Sequence, residues 1–451
     1  MTTGSRQRIF PLHLTPIEKF LLADDRPKYP MAFVIDVVLS GTLDRDAFDV
    51  ALRESLGRHP LLQSLIRPAK QNALCWVSAN GQRPYVNWAE ADVPITFPHN
   101  DEWIDLHDET GLRLWIRQGA EQIQLTAQFH HACCDGIGAY RFLGDLLAFY
   151  GARTASEGAT RPTVDEVNPV RLRGRADGCG YLDRSGQASL QRREAIKLLF
   201  QLAGRGCDPL YPSKPPRRTA EFPGYRCYSF TQEELKQLRQ AAKAFGSLLN
   251  DLLLLELFYT MHQWNRSKRR RITRRKYRIM MPTDLRSTKD YETPAANIIG
   301  YSFITHKASD LRDKQELANR IREETALIKH ERLGERFVDM VSTAAAVPGL
   351  LPFATAVPRT LSSAVLTNVG DPSRRFLARF PRESGRLVCG NLILKRISGF
   401  PPIRPKTRAA FSIVSYRKEL TIGLRCDPHL FSLDDTEEML DLYVNRLRAY
   451  L

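Results

Sequence analysis

The 451-residue sequence predicts a two-domain α/β protein with mixed β-sheets. Segments in which apolar side chains recur at every second position alternate with segments in which they recur at every third or fourth position. A strand, a helix and further mixed strands follow one another twice along the chain. A region rich in Gly, Pro, Arg and Ser separates the two occurrences. We therefore predict an N-terminal domain over residues 1–190 and a C-terminal domain over residues 191–451.

Two helices and five strands are predicted in the first half of the chain ahead of the helix that follows Gly136. Pro16 suits the first position of the first helix, and Asp44 is the expected cap of the second. The helices are predicted over 12–25 and 44–56, and the strands over 32–40, 61–67, 73–78, 113–118 and 122–129.

The pattern weakens between residues 151 and 220, where only 188–202 has helical spacing, and strengthens again in the second half. Thr231 and Glu234 form a capping box, and the helix after Leu248 is apolar almost all round, which predicts burial. The helices are predicted over 231–245, 248–264, 311–330 and 434–450, and the strands over 224–230, 276–282, 298–305, 364–368, 387–397, 409–416 and 419–426.

The composition is that of a globular protein, with 43% apolar and 26% charged residues. No apolar run has the length of a membrane-spanning helix, and the first 16 residues contain no apolar signal core. The eight cysteines lack framework spacing and include no C-x-x-C pair, which favours reduced thiols. We expect a cytoplasmic location, with peripheral attachment to a membrane surface as a variant of it.

The net charge of +16 is concentrated in one basic run, residues 266–278, which holds nine basic side chains and no acid. Such a run promotes contact with nucleic acid, an anionic membrane, a phosphate-bearing cofactor or an acidic protein, although a solvated loop explains it equally well. Nucleic acid is disfavoured because Tyr277 is the only aromatic residue in the run. The candidate docking side chains are Arg269, Arg270, Arg271, Arg274 and Arg275.

Residues 121–136, EQIQLTAQFHHACCDG, contain the densest group of reactive side chains. The first half alternates as a strand with one apolar and one polar face, and helical spacing begins after Gly136. Two histidines, two cysteines and an aspartate therefore lie between a strand and a helix, where α/β proteins tend to hold functional groups.

His130 and His131 cannot both face one substrate if the strand continues through them, because successive side chains point to opposite faces. We expect one histidine to support the site and the other to react. The neighbouring Asp135 and Gly136 favour a reactive histidine, because a histidine base commonly needs a carboxylate and a tight turn nearby. The structural alternatives are a hydrogen-bonded strand-end histidine, Asp135 as a helix cap and Gly136 as a turn residue.

Other chemistries fit this stretch less well. Zinc is disfavoured because adjacent ligand pairs that point apart do not converge on one tetrahedral ion. Dinucleotide binding is disfavoured because Arg141 occupies the third glycine position of the loop motif. A thiol nucleophile at Cys133 or Cys134 stays open, although nothing in the sequence marks either thiol as activated.

The run His130-His131-Ala-Cys-Cys-Asp135-Gly136 resembles the H-H-x-x-x-D-G signature of the superfamily of condensation domains and CoA-dependent acyltransferases. The pattern is most similar to that of wax ester synthase/diacylglycerol acyltransferases and alcohol acyltransferases. The likeness extends over nearly the whole chain except about 151–220. Further matching segments are the helix leading to Arg58-His59-Pro60, the Asn250-Asp251 helix, Pro282 to Arg286 with Asn297 to Gly300, and Thr367 to Gly370.

The resemblance implies two chloramphenicol-acetyltransferase-like subdomains, each a mixed sheet flanked by helices, arranged in a V with a connecting tunnel. It implies that His131 is the general base. Asp135 would pair with Arg286 and so fix the loop that carries His131, and His130 would be a packing residue that supports the site. Gly136 would let the substrate approach the backbone, with an amide for the developing oxyanion. The weaker candidates, Asn297 and Asn368, would line the site.

The implied activity is transfer of an acyl group from a thioester to a hydroxyl or amine acceptor, forming a lipid or secondary-metabolite ester. The donor would be acyl-CoA or acyl-phosphopantetheine as a co-substrate, with no permanently bound cofactor and no metal. An acidic acyl carrier protein or an anionic membrane surface would meet the basic run. The alternatives are an inactive condensation-like binding or scaffold protein and a carrier-protein-dependent enzyme that forms amides.

Overall fold

The computed structural model describes residues 9–69, 73–98, 101–177, 206–213, 222–268, 276–356 and 360–451. Within these ranges the α-helices are α1 (Pro16–Asp24), α2 (Arg45–Arg58), α3 (Gly136–Thr154), α4 (Gln232–Ala244), α5 (Leu249–Lys268), α6 (Lys314–His330), α7 (Leu333–Ala345), α8 (Leu350–Ala356) and α9 (Leu433–Arg448). Short 3-10 helices span Pro60–Gln63, Pro169–Gly174, Thr288–Asp290, Asp310–Arg312 and Pro372–Arg374.

The strands of the described residues are β1 (Leu12–His13), β2 (Ala32–Ser40), β3 (Ser64–Pro68), β4 (Leu74–Ser78), β5 (Tyr85–Glu90), β6 (Leu112–Gln118), β7 (Gln122–His130), β8 (Thr163–Val164), β9 (Arg226–Phe230), β10 (Lys276–Asp284), β11 (Ile299–Lys307), β12 (Ala364–Gly370), β13 (Ala378–Arg379), β14 (Arg382–Glu383), β15 (Arg386–Cys389), β16 (Leu392–Phe400), β17 (Ala409–Tyr416) and β18 (Glu419–Cys426).

The chain forms two compact units, and neither is continuous in sequence. Unit 1 comprises Met1–Cys179, Arg286–Ile298 and Asp371–Gly399, and unit 2 comprises Gly180–Leu285, Ile299–Gly370 and Phe400–Leu451. The predicted single boundary at residue 190 does not describe this division. Two segments predicted in the second domain pack in unit 1, because one supplies strands to its sheet and the other supplies partners to buried polar groups.

Unit 1 is built on a seven-stranded mixed sheet in the order β14-β15-β16-β2-β7-β6-β5. The central strands β2 and β7 pair antiparallel over nine residues, from Ala32 opposite His130 to Ser40 opposite Gln122. The apolar face of β7 packs on α3, where the Phe129 and Phe142 rings meet edge to face. On the face predicted to be polar, Gln122 is exposed, whereas Thr126 and Gln128 are buried. Gln128 donates to the Glu102 carbonyl.

Unit 2 is built on a six-stranded mixed sheet in the order β11-β10-β12-β17-β18-β9. Helix α5 belongs to the core of this unit, and its residues Leu252 to Leu255 are at most 1% exposed. The all-round burial predicted from its sequence is confirmed. The capping box of Thr231 and Glu234 opens α4 as predicted.

The structure contains helices that the sequence did not lead us to predict, α7 and α8. Helix α7 begins after Arg332, whose φ of 48° places it in the left-handed region, and it has no side-chain cap. The usual start signals are therefore absent, although Phe337 and Val341 give it a buried face. The parallel edge strand β5 was also missed. The predicted helix 188–202 lies outside the described residues.

Among the described residues no single helix has both the length and the apolarity needed to cross a membrane. Two bent helix pairs, α4 with α5 and α7 with α8, pass that test by length and composition only.

Candidate functional site

His131 lies directly after the last residue of β7, in the turn that leads into α3. Its amide donates to the Met31 carbonyl over 2.7 Å, and its ring meets the Phe33 ring edge to face at 5.1 Å between centroids. The side chain is 8% exposed. Burial lowers the pKa of His131 below its ordinary 6.5, against the opposing effects of its own carbonyl, Asp135 and Asn297. The imidazole is therefore neutral at neutral pH.

Asp135 is fixed by hydrogen bonds at both carboxylate oxygens. Arg286 donates to both from its two terminal nitrogens, at 2.9 Å each, so the pairing implied by the resemblance is present. The Gly138 amide donates to Asp135 at 2.9 Å, which makes Asp135 the cap of α3, and the Ile298 amide donates at 2.9 Å as well. Burial raises the pKa of Asp135, but the Arg286 charge and these hydrogen bonds outweigh it and hold the pKa below the ordinary value. The carboxylate therefore stays ionised and structural.

Asn297 contacts the same loop from the other side. Its Nδ2 donates to the main-chain carbonyls of His131 and Ala132, at 2.7 and 2.8 Å. The side chain is 3% exposed. Asn297 therefore lies under the His131 loop and holds its backbone.

The two ring nitrogens of His130 have different neighbours. Nδ1 accepts a hydrogen bond from the Ala132 amide at 3.1 Å, and Nε2 lies 3.4 Å from Asp25 Oδ2. Since Nδ1 accepts, the ring proton is on Nε2 and faces the carboxylate. The His130 side chain is 1% exposed, and its supporting role stays a prediction.

The two cysteines of the motif are both fully buried. Burial raises the pKa of both thiols, so the thiolate needed for nucleophilic attack is suppressed. The thiol nucleophile that the sequence left open is therefore disfavoured. Cys133 instead packs against Gly111, where an added Cβ would lie 2.1 Å from its sulfur.

Gly136 and Gly138 begin α3 with different surroundings. A Cβ at Gly138 would lie 2.9 Å from the Ala296 amide nitrogen, so this glycine permits contact with the Asn297 segment. A Cβ at Gly136 would meet no atom within 4 Å. The backbone of Gly136 therefore faces open space.

The segment Arg286–Ile298 brings Arg286 and Asn297 to the loop. The residues that anchor this segment were not among the predicted site residues. His59 Nδ1 accepts from the Ala295 amide at 2.9 Å, and His59 Nε2 donates to Asp145 Oδ2 at 3.1 Å. Arg141 donates to the Asp290 and Thr293 carbonyls. Asp25, the partner of His130, was missed too. Only the Arg58-His59-Pro60 motif carried any signal of these contacts, because their partners are distant in sequence.

The remaining candidates are Asn368 and the arginines of the basic run. Asn368 belongs to unit 2, where it donates to Asn250 Oδ1 at 3.0 Å and accepts from the Gly370 amide. The five arginines of the basic run, Arg269, Arg270, Arg271, Arg274 and Arg275, lie outside the described residues. Among the residues that are described, no group of three or more His, Cys, Asp and Glu side chains could hold a metal ion.

Comparison with curated proteins gives distant relatives. No family model matches the chain. An uncharacterized protein of Mycobacterium tuberculosis is 22% identical over 348 residues, which are 75% of this chain and 77% of that protein. A nonribosomal peptide synthetase of Aspergillus fumigatus is 22% identical over 153 residues, which are 32% of this chain and 3% of the synthetase.

Solved structures share the fold over almost the whole chain. The starter condensation domain of rhizomide synthetase has a TM-score of 0.65 at 12% identity and covers 99% of this chain and 96% of its own. The trichothecene 15-O-acetyltransferase of Fusarium sporotrichioides has a TM-score of 0.67 at 12% identity, covering 97% and 95%. The X-domain from teicoplanin biosynthesis has a TM-score of 0.62 at 17% identity, covering 98% and 95%. The chain therefore has the α/β fold of condensation domains and CoA-dependent acyltransferases, as predicted.

Proposed function

We propose that this protein transfers an acyl group from a thioester donor to a hydroxyl or amine acceptor, with His131 as the general base. One observation carries the proposal. Hydrogen bonds from Arg286, Gly138 and Ile298 occupy the Asp135 carboxylate, whereas the neighbouring His131 is neutral at neutral pH. His131 is thus the group of the motif that is available to take a proton.

In the proposed reaction His131 Nε2 removes the proton from the acceptor as its oxygen or nitrogen attacks the thioester carbonyl. The new bond forms, and the carbonyl electron pair moves onto oxygen. Collapse of this tetrahedral oxyanion breaks the C–S bond, and the sulfur leaves as a thiol that takes its proton from His131. A base placed in this way contributes about 10²- to 10⁴-fold.

Gly136 supports a site for the oxyanion. A side chain at Gly136 would occupy open space, and Gly136 is the first residue of the 19-residue helix α3. Main-chain amides of a helix's first turn have no intrahelical partner and carry partial positive charge. We propose that the thioester carbonyl approaches Gly136 and that an amide of this turn donates to the oxyanion.

The donor proposed is acyl-CoA or acyl-phosphopantetheine on a carrier protein. The rhizomide starter condensation domain was solved with C8-CoA and Leu-SNAC, and the Fusarium neighbour is an O-acetyltransferase. The first supports a thioester as a ligand of this fold, and the second supports acetyl transfer to oxygen. A lipid or secondary-metabolite ester is the proposed product class, and an acidic carrier protein or an anionic membrane surface is the proposed partner of the basic run.

The test is a mass-spectrometric assay of the purified protein with several acyl-CoAs and a mixed pool of alcohols and amines. We expect an acylated product with the wild type and a loss of about 10²-fold or more with His131→Ala. His330→Ala is the matched control, because its side chain is 84% exposed. Both variants should melt as the wild type does. Unchanged turnover with His131→Ala would remove this residue from the mechanism.

A binding or scaffold protein is the second candidate. The X-domain of teicoplanin biosynthesis, which shares this fold, was solved in complex with OxyB. Absence of product with every acyl-CoA and every carrier-loaded thioester would favour this candidate. Products formed only from amines and only with carrier-loaded donors would favour the amide-forming condensation enzyme.

A further inference from the structure

Phe33 of β2 packs directly against the ring of His131. The two ring centroids are 5.1 Å apart and the ring planes are inclined at 65°, which is an edge-to-face contact. Phe33 is 6% exposed and His131 is 8% exposed, so both rings are buried. The Phe33 ring is therefore part of the wall that surrounds the imidazole.

The orientation of the Phe33 ring is itself fixed by its neighbours. Phe33 lies opposite Phe129 in the β2–β7 pair, and the two rings stack with 5.3 Å between centroids and 15° between planes. Phe129 in turn meets Phe142 of α3 edge to face at 6.0 Å. Aromatic pairs of this kind favour defined ring orientations. The Phe33 ring is thus a rigid support that connects the sheet of unit 1 to the side chain of His131.

Hydrogen bonds within the described ranges hold the backbone of His131 more firmly than its ring. The His131 amide donates to Met31, and the His131 carbonyl accepts from Asn297 Nδ2. Nδ1 of the ring makes no hydrogen bond of normal geometry to any described residue, although the carbonyl of His131 and Asn297 are polar neighbours of the ring. The direction of the imidazole therefore depends on the side chains packed against it.

Resting on the proposed function, we propose that Phe33 is a positioning residue for His131, whose ring fixes the direction of the imidazole and closes one side of it to water. Phe33 acts through His131 and does not touch the reacting atoms.

The protonation of His131 agrees with this role. Burial is the largest influence on the pKa of His131 and lowers it; His130 acts in the same direction and Asp135 acts against it. A phenyl ring cannot replace the water that an imidazolium needs, so packing against Phe33 favours the neutral imidazole. The face of a phenyl ring can also attract a cation, which would raise the pKa of His131 instead. The two effects of Phe33 have opposite signs, so an experiment can distinguish them.

The direct test is an NMR titration of the full-length protein labelled at histidine, with His131→Ala used to assign the His131 signals. In the wild type we expect a pKa below the ordinary 6.5. Phe33→Leu removes the ring and lets water approach, so the pKa of His131 should rise toward 6.5. Phe33→Tyr keeps the ring and should titrate as the wild type does. The proposal is overturned by a wild-type pKa at or above 6.5, by an unchanged or lower pKa in Phe33→Leu, or by equal shifts in Phe33→Leu and Phe33→Tyr.

Kinetics provide a second readout. For Phe33→Leu we expect kcat to fall about tenfold with little change in KM, and the acidic limb of the pH profile to move to higher pH, because a base with a raised pKa is protonated over a wider range.

Phe48→Leu is the matched control. Phe48 is 2% exposed and meets Trp88 edge to face at 5.3 Å, so the same change removes a similar ring contact elsewhere in unit 1. It should lower the melting temperature to a similar extent and leave the pH profile unchanged. Equal losses of kcat in both variants, with the acidic limb unmoved in both, would assign Phe33 a merely structural role. The NMR titration needs no turnover, so failure of acyl transfer and failure of this proposal are separable.

Discussion

His131 and Asp135 are four positions apart, yet the structure gives their side chains opposite properties. Burial works against the charge of both. Asp135 retains its charge because a guanidinium and two amides surround the carboxylate. His131 lacks a comparable partner and becomes neutral. The same low-polarity environment therefore yields one fixed anion and one proton acceptor.

The ion pair of Asp135 with Arg286 predicts a pH-dependent stability difference. The side chains are 2% and 6% exposed, and breaking a buried pair by removing one partner costs about 3–5 kcal/mol. Asp135→Asn should therefore lower the melting temperature at pH 7. The folded pKa of Asp135 is below the ordinary 3.8, so its contribution is present above that pH and is lost as the pH falls further.

Melting curves of wild type and Asp135→Asn at a series of pH values check this. The difference in melting temperature between wild type and Asp135→Asn should be largest near neutral pH and should vanish below about pH 4. Asp371→Asn, at a carboxylate that is 30% exposed and caps the 3-10 helix Pro372–Arg374, is the control with a smaller effect. A gap that does not vary with pH would show that charge is not what Asp135 contributes.

At the scale of elements, the turn between β7 and α3 depends on close packing by glycines. Gly111 lies against Cys133, and Gly138 lies against the Arg286–Ile298 segment. A side chain at either position would push the turn away from the groups that hold it. Gly136 has no such neighbour, so the three glycines serve different purposes that the sequence does not distinguish.

Gly111→Ala and Gly136→Ala should distinguish packing of the turn from access of the substrate to its backbone. The first places a methyl group 2.1 Å from the Cys133 sulfur, and overpacking of this kind costs about 1–3 kcal/mol. The second fills open space, so we expect little change in unfolding free energy but a loss of acyl transfer. Denaturant titrations and the acyl-CoA assay measure the two effects.

Combining Gly111→Ala with Cys133→Ala is the internal control, because it removes the sulfur that the new methyl group would meet. The double variant should recover part of the stability lost in Gly111→Ala. A Gly111→Ala protein as stable as the wild type would contradict the packing role, and a fully active Gly136→Ala would contradict the approach of substrate there.

At the scale of the molecule, unit 1 requires parts of the chain that are far apart in sequence. Strand β2 lies between β7 and β16, and β16 follows it by more than 300 residues. Residues Ala32 to Leu39 of β2 are nearly all apolar and buried. Removal of β16 would expose one edge of this strand, and such an edge promotes association.

A fragment of residues 1–190, the N-terminal domain predicted from the sequence, should therefore fail to fold cooperatively. It lacks β16, and Asp135 would lose both Arg286 and the Ile298 amide. We expect no sharp thermal transition and association in size-exclusion chromatography, whereas the full chain melts cooperatively. A monomeric fragment with a cooperative transition would show that the two inserted segments are dispensable.

Much of the local structure, and the chemical motif, can be predicted from the sequence. Periodicity located β2, β7 and α5 because burial of apolar side chains follows spacing along one element. It did not locate α7, which begins at a left-handed arginine without a cap, and it placed β15 and β16 in the wrong unit. The resemblance of the motif also led to Arg286, 151 positions from Asp135.

The groups that surround the motif follow from tertiary packing. It paired His130 with Asp25, joined His59 to Asp145 and the Ala295 amide, and placed Asn297 under the His131 loop. It also decided that both cysteines are buried. Each of these results depends on contacts between residues that are distant in the chain. Local spacing contains no information about such contacts, because they form only when separate elements pack together.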